Sequence, residues 1–93
     1  MDFEWDMEKE LENVKKHGVS FLEAIETFTD PDGFAMEDIK HSGNETRYYW
    51  IGKTGQGRIL TTRYTRRGNN IRLIGSAEWR EFRKLYYEKT STE

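Results

Sequence analysis

The sequence predicts an α+β fold: two N-terminal helices, a four-stranded antiparallel meander sheet and a C-terminal helix, forming a single domain over residues 1–93. Three observations carry that expectation. Residues 47–76 hold three segments rich in aromatic and β-branched residues, Arg47–Ile51, Arg58–Thr65 and Ile71–Ile74. Thr54-Gly55-Gln56-Gly57 and Gly68-Asn69-Asn70 separate them, and connections this short permit only hairpins, hence antiparallel neighbours. Capped helical patterns precede this stretch, and a helical run of aromatics follows it.

Asp6 is a suitable N-cap for the first helix, with Glu8 and Glu10 at the positive end of its dipole and Lys15, Lys16 and His17 at the negative end. Met7, Leu11 and Val14 fall at i, i+4 and i+7 and give it one narrow apolar stripe. Gly18 sits where a C-cap glycine belongs, so this helix stops near His17. Ser20-Phe21-Leu22-Glu23 is a capping box that opens a second helix, running to about Phe28 and burying Leu22, Ile25 and Phe28, with Phe21 and Ala24 beside them. Asp30-Pro31-Asp32-Gly33 reads as a type I turn. Phe34–Ile39 alternates weakly and reads as an edge strand, its Glu37 and Asp38 discouraging edge-to-edge pairing. His41-Ser42-Gly43-Asn44 is the turn into the meander. The third helix is expected over Ala77–Tyr87, with Trp79, Phe82 and Tyr86 on one stripe and Arg80, Arg83 and Lys84 off it. Lys89–Glu93 is expected to fray.

Composition narrows the chemistry. Hydrophobic content is 34%, low for a small core, and the aromatic residues, 14% of the chain, compensate with large buried areas. There is no cysteine, which removes disulfides, thiolate metal sites and cysteine nucleophiles. With no signal peptide and no long apolar run, the expected setting is the cytoplasm, without membrane contact. His17 and His41 lie 24 positions apart among scattered carboxylates, so neither a metal site nor any cofactor is implied. Gly55-Gln56-Gly57 is a hairpin turn and not a phosphate loop, and neither Ser20 nor Ser42 has the context of a catalytic triad.

Charge is divided along the chain. Residues 1–45 carry 13 acidic and 4 basic side chains, whereas residues 46–93 carry 4 acidic and 11 basic ones. Such a split suggests either a polyanion-binding surface beside an acidic one or two ordinary solvated faces. Each predicted central strand bears an arginine. Side chains alternate, so Arg63 shares a face with Ile59, Thr61 and Thr65. A two-residue loop at Gly68-Asn69 places Thr65 opposite Arg72 and Arg63 opposite Ile74. If the other hairpin sets Ile51 opposite Ile59, then Arg47 lies opposite Arg63. In that register Arg47, Arg63 and Arg72 line one face with Tyr49, Thr61 and Thr65, while Leu60, Tyr64, Ile71 and Leu73 back onto the helices. Three guanidinium groups repel unless an anion sits among them, and each offers a planar fork suited to phosphate. Tyr49, with Trp50 or Trp79 at a rim, is then placed to stack on an unpaired base. The competing arrangement has acidic residues of the same chain neutralising these arginines.

Phe3-Glu4-Trp5-Asp6, Lys16-His17-Gly18-Val19-Ser20-Phe21, Glu23-Ala24, Asp30-Pro31, His41-Ser42, Arg47 and Gly52 form an ordered set. It continues with Gly57-Arg58-Ile59-Leu60, Thr65, Arg67-Gly68, Ile71-Arg72-Leu73-Ile74 and Ser76-Ala77. In order and spacing this set resembles the BrnT family, small bacterial ribonuclease toxins of toxin–antitoxin pairs. The resemblance implies a RelE-like fold, cleavage of mRNA that arrests translation, and a neutralising antitoxin with a ribbon-helix-helix DNA-binding part. It also implies that the complex represses its own operon, operator DNA being reached only through the antitoxin. One departure stands out. Many members read Ser-Ala-Arg-Arg-Ala-Thr where the last helix begins, and here Glu78 and Trp79 replace the two arginines, with Arg80 and Arg83 following one turn later.

Metal-independent RNA cleavage uses the 2′-hydroxyl as nucleophile, so a protein must help remove its proton, stabilise the pentacoordinate phosphate and protonate the leaving 5′-oxygen. Arg63 and Arg72 are the first candidates for holding the phosphate, with Arg47 and Arg80 as secondary contacts. Arg58 and Arg67, at strand ends, suit flanking phosphates, and Arg83, Lys16 and Tyr49 complete the expected RNA-binding set. His17 is the candidate for proton transfer, imidazole being the side chain suited to giving and taking protons near neutral pH, although a helix-terminal histidine also satisfies free carbonyls. His41 is the alternative. A reading from another class keeps the fold and the antitoxin contact but makes the chain a non-catalytic RNA- or antitoxin-binding module acting in autoregulation.

Overall fold

In the computed structural model, which describes residues 2–91, the chain begins with a strand that the sequence pattern did not announce. β1 (Asp2–Glu4) runs parallel to the last strand, β5 (Asn70–Ala77), pairing Asp2 with Asn70, Phe3 with Ile71 and Glu4 with Arg72. The sheet therefore has five strands and is mixed, in the order β1-β5-β4-β3-β2, which corrects the expected four-stranded antiparallel meander. Three residues carry too little periodicity to read as a strand, and β1 exists because the outer edge of β5 is free to receive it. β3 (Arg47–Lys53) and β4 (Ile59–Arg67) form the antiparallel centre, and β2 (Phe34–Glu37) pairs with β3 at the other edge.

The capping chemistry sets the helix boundaries as expected. α1 (Met7–His17) starts where the Asp6 carboxylate accepts from the Glu8 N–H at 2.8 Å and stops at Gly18, whose φ of 66° is the left-handed conformation that only glycine adopts freely. α2 (Phe21–Glu26) starts where Ser20 Oγ accepts from the Glu23 N–H at 3.1 Å. It ends two residues before the expected Phe28, in a 3₁₀ turn over Thr27–Thr29. The second strand is likewise shorter than expected, giving way to a 3₁₀ turn over Ile39–His41. α3 (Arg80–Thr90) begins three residues later than expected because β5 takes Gly75, Ser76 and Ala77 into the sheet. It runs through Thr90, so Lys89 and Thr90 are helical; the rest of the expected frayed tail, beyond Ser91, lies outside the described residues.

Two cores lie on opposite faces of the sheet. Phe21, Tyr64, Ile71 and Leu73 form one, with Phe28, Tyr48 and Trp50 packed against them under α2. Ile51, Ile59 and Tyr86 form the other, with Tyr49 and Phe82, under α3. The arginine-bearing face is thus not bare: the third helix covers one end of it. This differs from a sheet backed by helices on one face only.

α1 docks by hydrogen bonds instead of by its apolar stripe. Met7, Leu11 and Val14 are exposed, and the residue it buries is Asn13. Asn13 Nδ2 donates to the carbonyls of Ser76 at 2.8 Å and Val19 at 2.9 Å, while its Oδ1 accepts from the Ser76 N–H at 3.1 Å. One side chain thereby continues the ladder of β5 beyond the point where β1 ends. Glu10 adds to this, accepting from Trp5 Nε1 at 3.1 Å and from the Phe21 N–H at 2.9 Å. Leu22, expected in the core, is also exposed, and Phe21 and Ala24 are buried in its stead.

Candidate functional site

Strand register decides which arginines meet. Gly68, with φ of 62° at the first position of the two-residue loop, fits a type II′ hairpin and places Thr65 opposite Arg72 as expected. Beyond it the ladder slips: a β-bulge between Arg63 and Tyr64 sets Arg63 opposite Gly75 instead of Ile74. In the other hairpin Arg47 lies opposite Thr65 and Tyr49 opposite Arg63, two residues away from the expected pairing of Arg47 with Arg63. A shift of two preserves facing. Arg47, Arg63 and Arg72 therefore share one face with Tyr49, Thr61 and Thr65, in the row Arg47–Thr65–Arg72 and the neighbouring row Tyr49–Arg63–Gly75.

A cleft lies beside the bulge. With glycine opposite it, Arg63 has no cross-strand side chain on that flank, and the space beside it opens toward α1 as a cavity of about 410 Å³. Lys9, Glu12, Lys16 and His17 line it from α1, Thr61 and Arg63 from β4, and Trp79 from the segment before α3. Of the expected site residues, this cleft brings together Arg63, Lys16 and His17. Arg63 is half-buried and its guanidinium has no ion-pair or hydrogen-bond partner among the described residues, and the same holds for the guanidinium of Arg47 in the next row.

Other expected phosphate ligands are already occupied. Arg72 Nη1 donates to Glu4 Oε2 at 3.0 Å, an acid supplied by the unforeseen β1. Hydrogen bonds from Asn70 and then Arg72 hold the Glu4 carboxyl below the usual carboxylate range. Arg67 pairs with Glu45 at 2.9 Å. Arg58 is clamped at 2.8 Å by both Glu23 and Glu78. These carboxylates, Glu78 first, raise the Arg58 pKa further. Arg80 and Arg83 are exposed on α3, outside the cleft.

Aromatic residues sort by face. Trp50 lies on the opposite face from Arg63, stacked on Phe28 at 5.1 Å with its indole N–H donating to the Thr27 carbonyl at 2.8 Å, and so is no rim residue. Tyr49 is held edge-on by Trp79 at 5.9 Å and against Phe82 at 5.0 Å, which engages its ring within the fold. Burial, followed by the nearby Asp38 carboxylate, raises its hydroxyl above the ordinary tyrosine value. Trp79 is the aromatic at the cleft wall.

Asn13, Lys9, Glu12 and Gly75 were missed by sequence reasoning. A signal for the first three existed: Lys9, Glu12, Asn13 and Lys16 recur at helical spacing on one polar stripe of α1. A polar stripe is ordinarily the solvated one, so nothing local marks it as the inward face. Gly75 depends on a bulge that its sequence does not advertise.

A family model described as "Ribonuclease toxin, BrnT, of type II toxin-antitoxin system" matches residues 5–81 of the chain. That span includes α1, the cleft and the start of α3. Comparison with curated proteins returns no match.

Proposed function

The chain belongs to the BrnT family of type II toxin–antitoxin ribonuclease toxins, and from that premise we propose that it is a metal-independent endoribonuclease that cleaves mRNA and arrests translation. The observation that carries this reading is the unpaired Arg63 guanidinium in a cleft shared with His17 and Lys16. An unpaired, always-charged fork opposite a glycine is suited to the equatorial oxygens of a phosphate. His17 supplies proton transfer and Lys16 a second positive charge toward the developing dianion. Arg47, on the same face, extends the cationic track toward a neighbouring phosphate. Trp79 offers a ring edge against which an unpaired base settles.

The family's type implies a protein antitoxin. We propose that it neutralises the toxin by covering the cationic cleft with acidic residues or by displacing the last helix, that it carries a ribbon-helix-helix DNA-binding part, and that the pair represses its own operon. A second reading has one specific observation in its favour. Arg58, Arg67 and Arg72 are paired with carboxylates, which leaves fewer cations for RNA and fits a non-catalytic module that binds antitoxin or RNA in autoregulation.

Purified chain incubated with a long RNA in the presence of a chelator separates the two. The expected result is discrete cleavage products carrying 2′,3′-cyclic phosphate ends, reduced by about 10²–10³-fold in Arg63→Ala as for loss of a principal transition-state donor. RNA binding without products in the wild-type chain rejects the enzyme and favours the module. Expression without antitoxin gives an independent check, since unimpaired bacterial growth is incompatible with an active toxin.

A further inference from the structure

Asp38 is a buried carboxylate with a solvent-facing partner. Its residue is 4% exposed, whereas the side chain of His41, bonded to it, is 45% exposed. His41 Nδ1 lies 3.1 and 3.0 Å from the two carboxylate oxygens, and the His41 N–H donates to Asp38 Oδ1 at 3.3 Å. A carboxylate only accepts, so Nδ1 carries the hydrogen and Nε2 of the neutral ring presents its lone pair outward. The surrounding turn is braced as well: Ser42 Oγ donates to the Asp38 carbonyl at 2.8 Å and accepts from the Arg47 N–H at 2.9 Å.

Placement gives the pair its meaning. The Asp38 N–H donates to the Arg47 carbonyl at 2.8 Å, extending the β2–β3 ladder by one residue. Directly opposed residues share a face, so Asp38 stands on the face of Arg47, Tyr49 and Arg63. Only two strand spacings, about 10 Å, separate the backbone of β2 from that of β4. The turn itself carries Asp38, Lys40 and His41, Arg47 lies opposite Asp38 on β3, and Tyr49 of β3 interacts with the Asp38 carboxylate and in turn feels Arg63 of β4 and Glu81 of α3. On this face Arg63 of β4 therefore stands between α1, which brings His17 to the cleft, and the β2 edge, where Asp38 and its partner His41 lie one strand beyond β3.

We propose that His41, oriented by Asp38, is the general base of the ribonuclease site, a role that rests on the ribonuclease reading above. Its Nε2 takes the proton of the 2′-hydroxyl as that oxygen attacks phosphorus. The P–O5′ bond breaks, the 5′-oxygen leaves with a proton delivered from the cleft by His17 or Lys16, and the products are a 2′,3′-cyclic phosphate and a 5′-hydroxyl. Asp38 fixes the tautomer and stabilises the imidazolium that forms, as a carboxylate does behind a catalytic histidine. The water-excluded position of Asp38 is what such a role requires, since an exposed carboxylate orients its partner weakly.

The test compares wild type, Arg63→Ala, His41→Ala, His41→Gln and Asp38→Asn on one long RNA with chelator present, each checked for native circular dichroism and melting. His41→Ala is expected to lower kcat by about 10²–10⁴-fold with little change in KM, and to remove the limb of the pH–rate profile that rises from acid pH. Added imidazole restores part of the His41→Ala rate, which a purely structural loss would not allow. Asp38→Asn, which presents an amide donor to Nδ1, falls comparably while staying folded. If wild type cleaves and Arg63→Ala does not, while His41→Ala keeps its rising limb and at least a third of the rate, His41 is not the base and the ribonuclease reading survives. If wild type leaves RNA intact, both fall together. His41→Gln, which keeps a polar group at the turn, guards the result against misfolding of the alanine variant.

Discussion

A guanidinium keeps its charge at any physiological pH, so its role is set by whether a carboxylate can reach it. Arg58 is reached by Glu23 and Glu78, Arg67 by Glu45 and Arg72 by Glu4, whereas no carboxylate among the described residues pairs with Arg63, which stands opposite a glycine. In sequence these four look alike, each an arginine in or beside a strand, and no local rule separates them. Their acids come from 20 or more positions away, which is why alternation found the shared face and could not find the pairings. Asn13 illustrates the same point in reverse, a polar residue inside a helix whose function is to complete a strand on the far side of the chain. Thr65, between Arg47 and Arg72, is buried with a hydroxyl that has no hydrogen-bond partner among the described residues. A hydroxyl desolvated without a partner costs about 1–3 kcal/mol, and valine matches its shape. Thr65→Val is therefore expected to leave stability unchanged or raise it by about 1 kcal/mol in urea melts; a loss of that size would show that the hydroxyl is bonded in solution.

At the scale of elements, capping was legible and the inward face of α1 was not. Asp6, Gly18 and Ser20 placed both ends of α1 and the start of α2, because caps are satisfied by the nearest backbone and need no tertiary partner. The apolar stripe of α1 is not its inward face. Met7 and Leu11 are 68% and 67% exposed, since the docking of this helix is determined by the hydrogen bonds of Asn13 and Glu10. Leu11→Ala is accordingly expected to change stability by less than about 0.5 kcal/mol, as for an exposed site. Leu73→Ala, at 1% exposure, is expected to cost about 2–5 kcal/mol. Equal losses in chemical denaturation would mean that α1 buries its stripe after all. The C-terminal helix shows the opposite balance: its Phe82 and Tyr86 spacing was readable, although Trp79, expected on the same stripe, precedes it as an extended N-cap, and the structure added that it covers one end of the arginine face.

Across the whole molecule, acidic and basic halves are folded against each other, and the ion pairs and capped carboxylates this produces couple stability to pH. Burial works to raise the pKa of Asp30, but hydrogen bonds from the Tyr86 hydroxyl at 2.7 Å and from the Asp32 and Lys53 N–H groups outweigh it and hold the group below its ordinary 3.8. Asp38 is likewise lowered, the hydrogen bonds and charge of His41 overcoming burial. Folded values below the unfolded ones mean that the unfolded chain binds more protons in that range. The stabilisation is thus fully present above about pH 4 and is lost as pH falls through the lower folded values. Urea midpoints measured between about pH 6 and 2 are expected to drop on the acid side, with a shallower drop in Asp30→Asn; an unchanged slope in that variant would show that Asp30 is unperturbed. The sequence by itself determined the element types, the hairpins, the caps and the face on which the arginines stand, because each follows from neighbours a few residues apart or from strand alternation. Only the tertiary structure decided that β1 joins the edge of the sheet, that a bulge sets glycine against Arg63, and which guanidinium groups meet a carboxylate, because all three depend on contacts between segments that the chain keeps far apart.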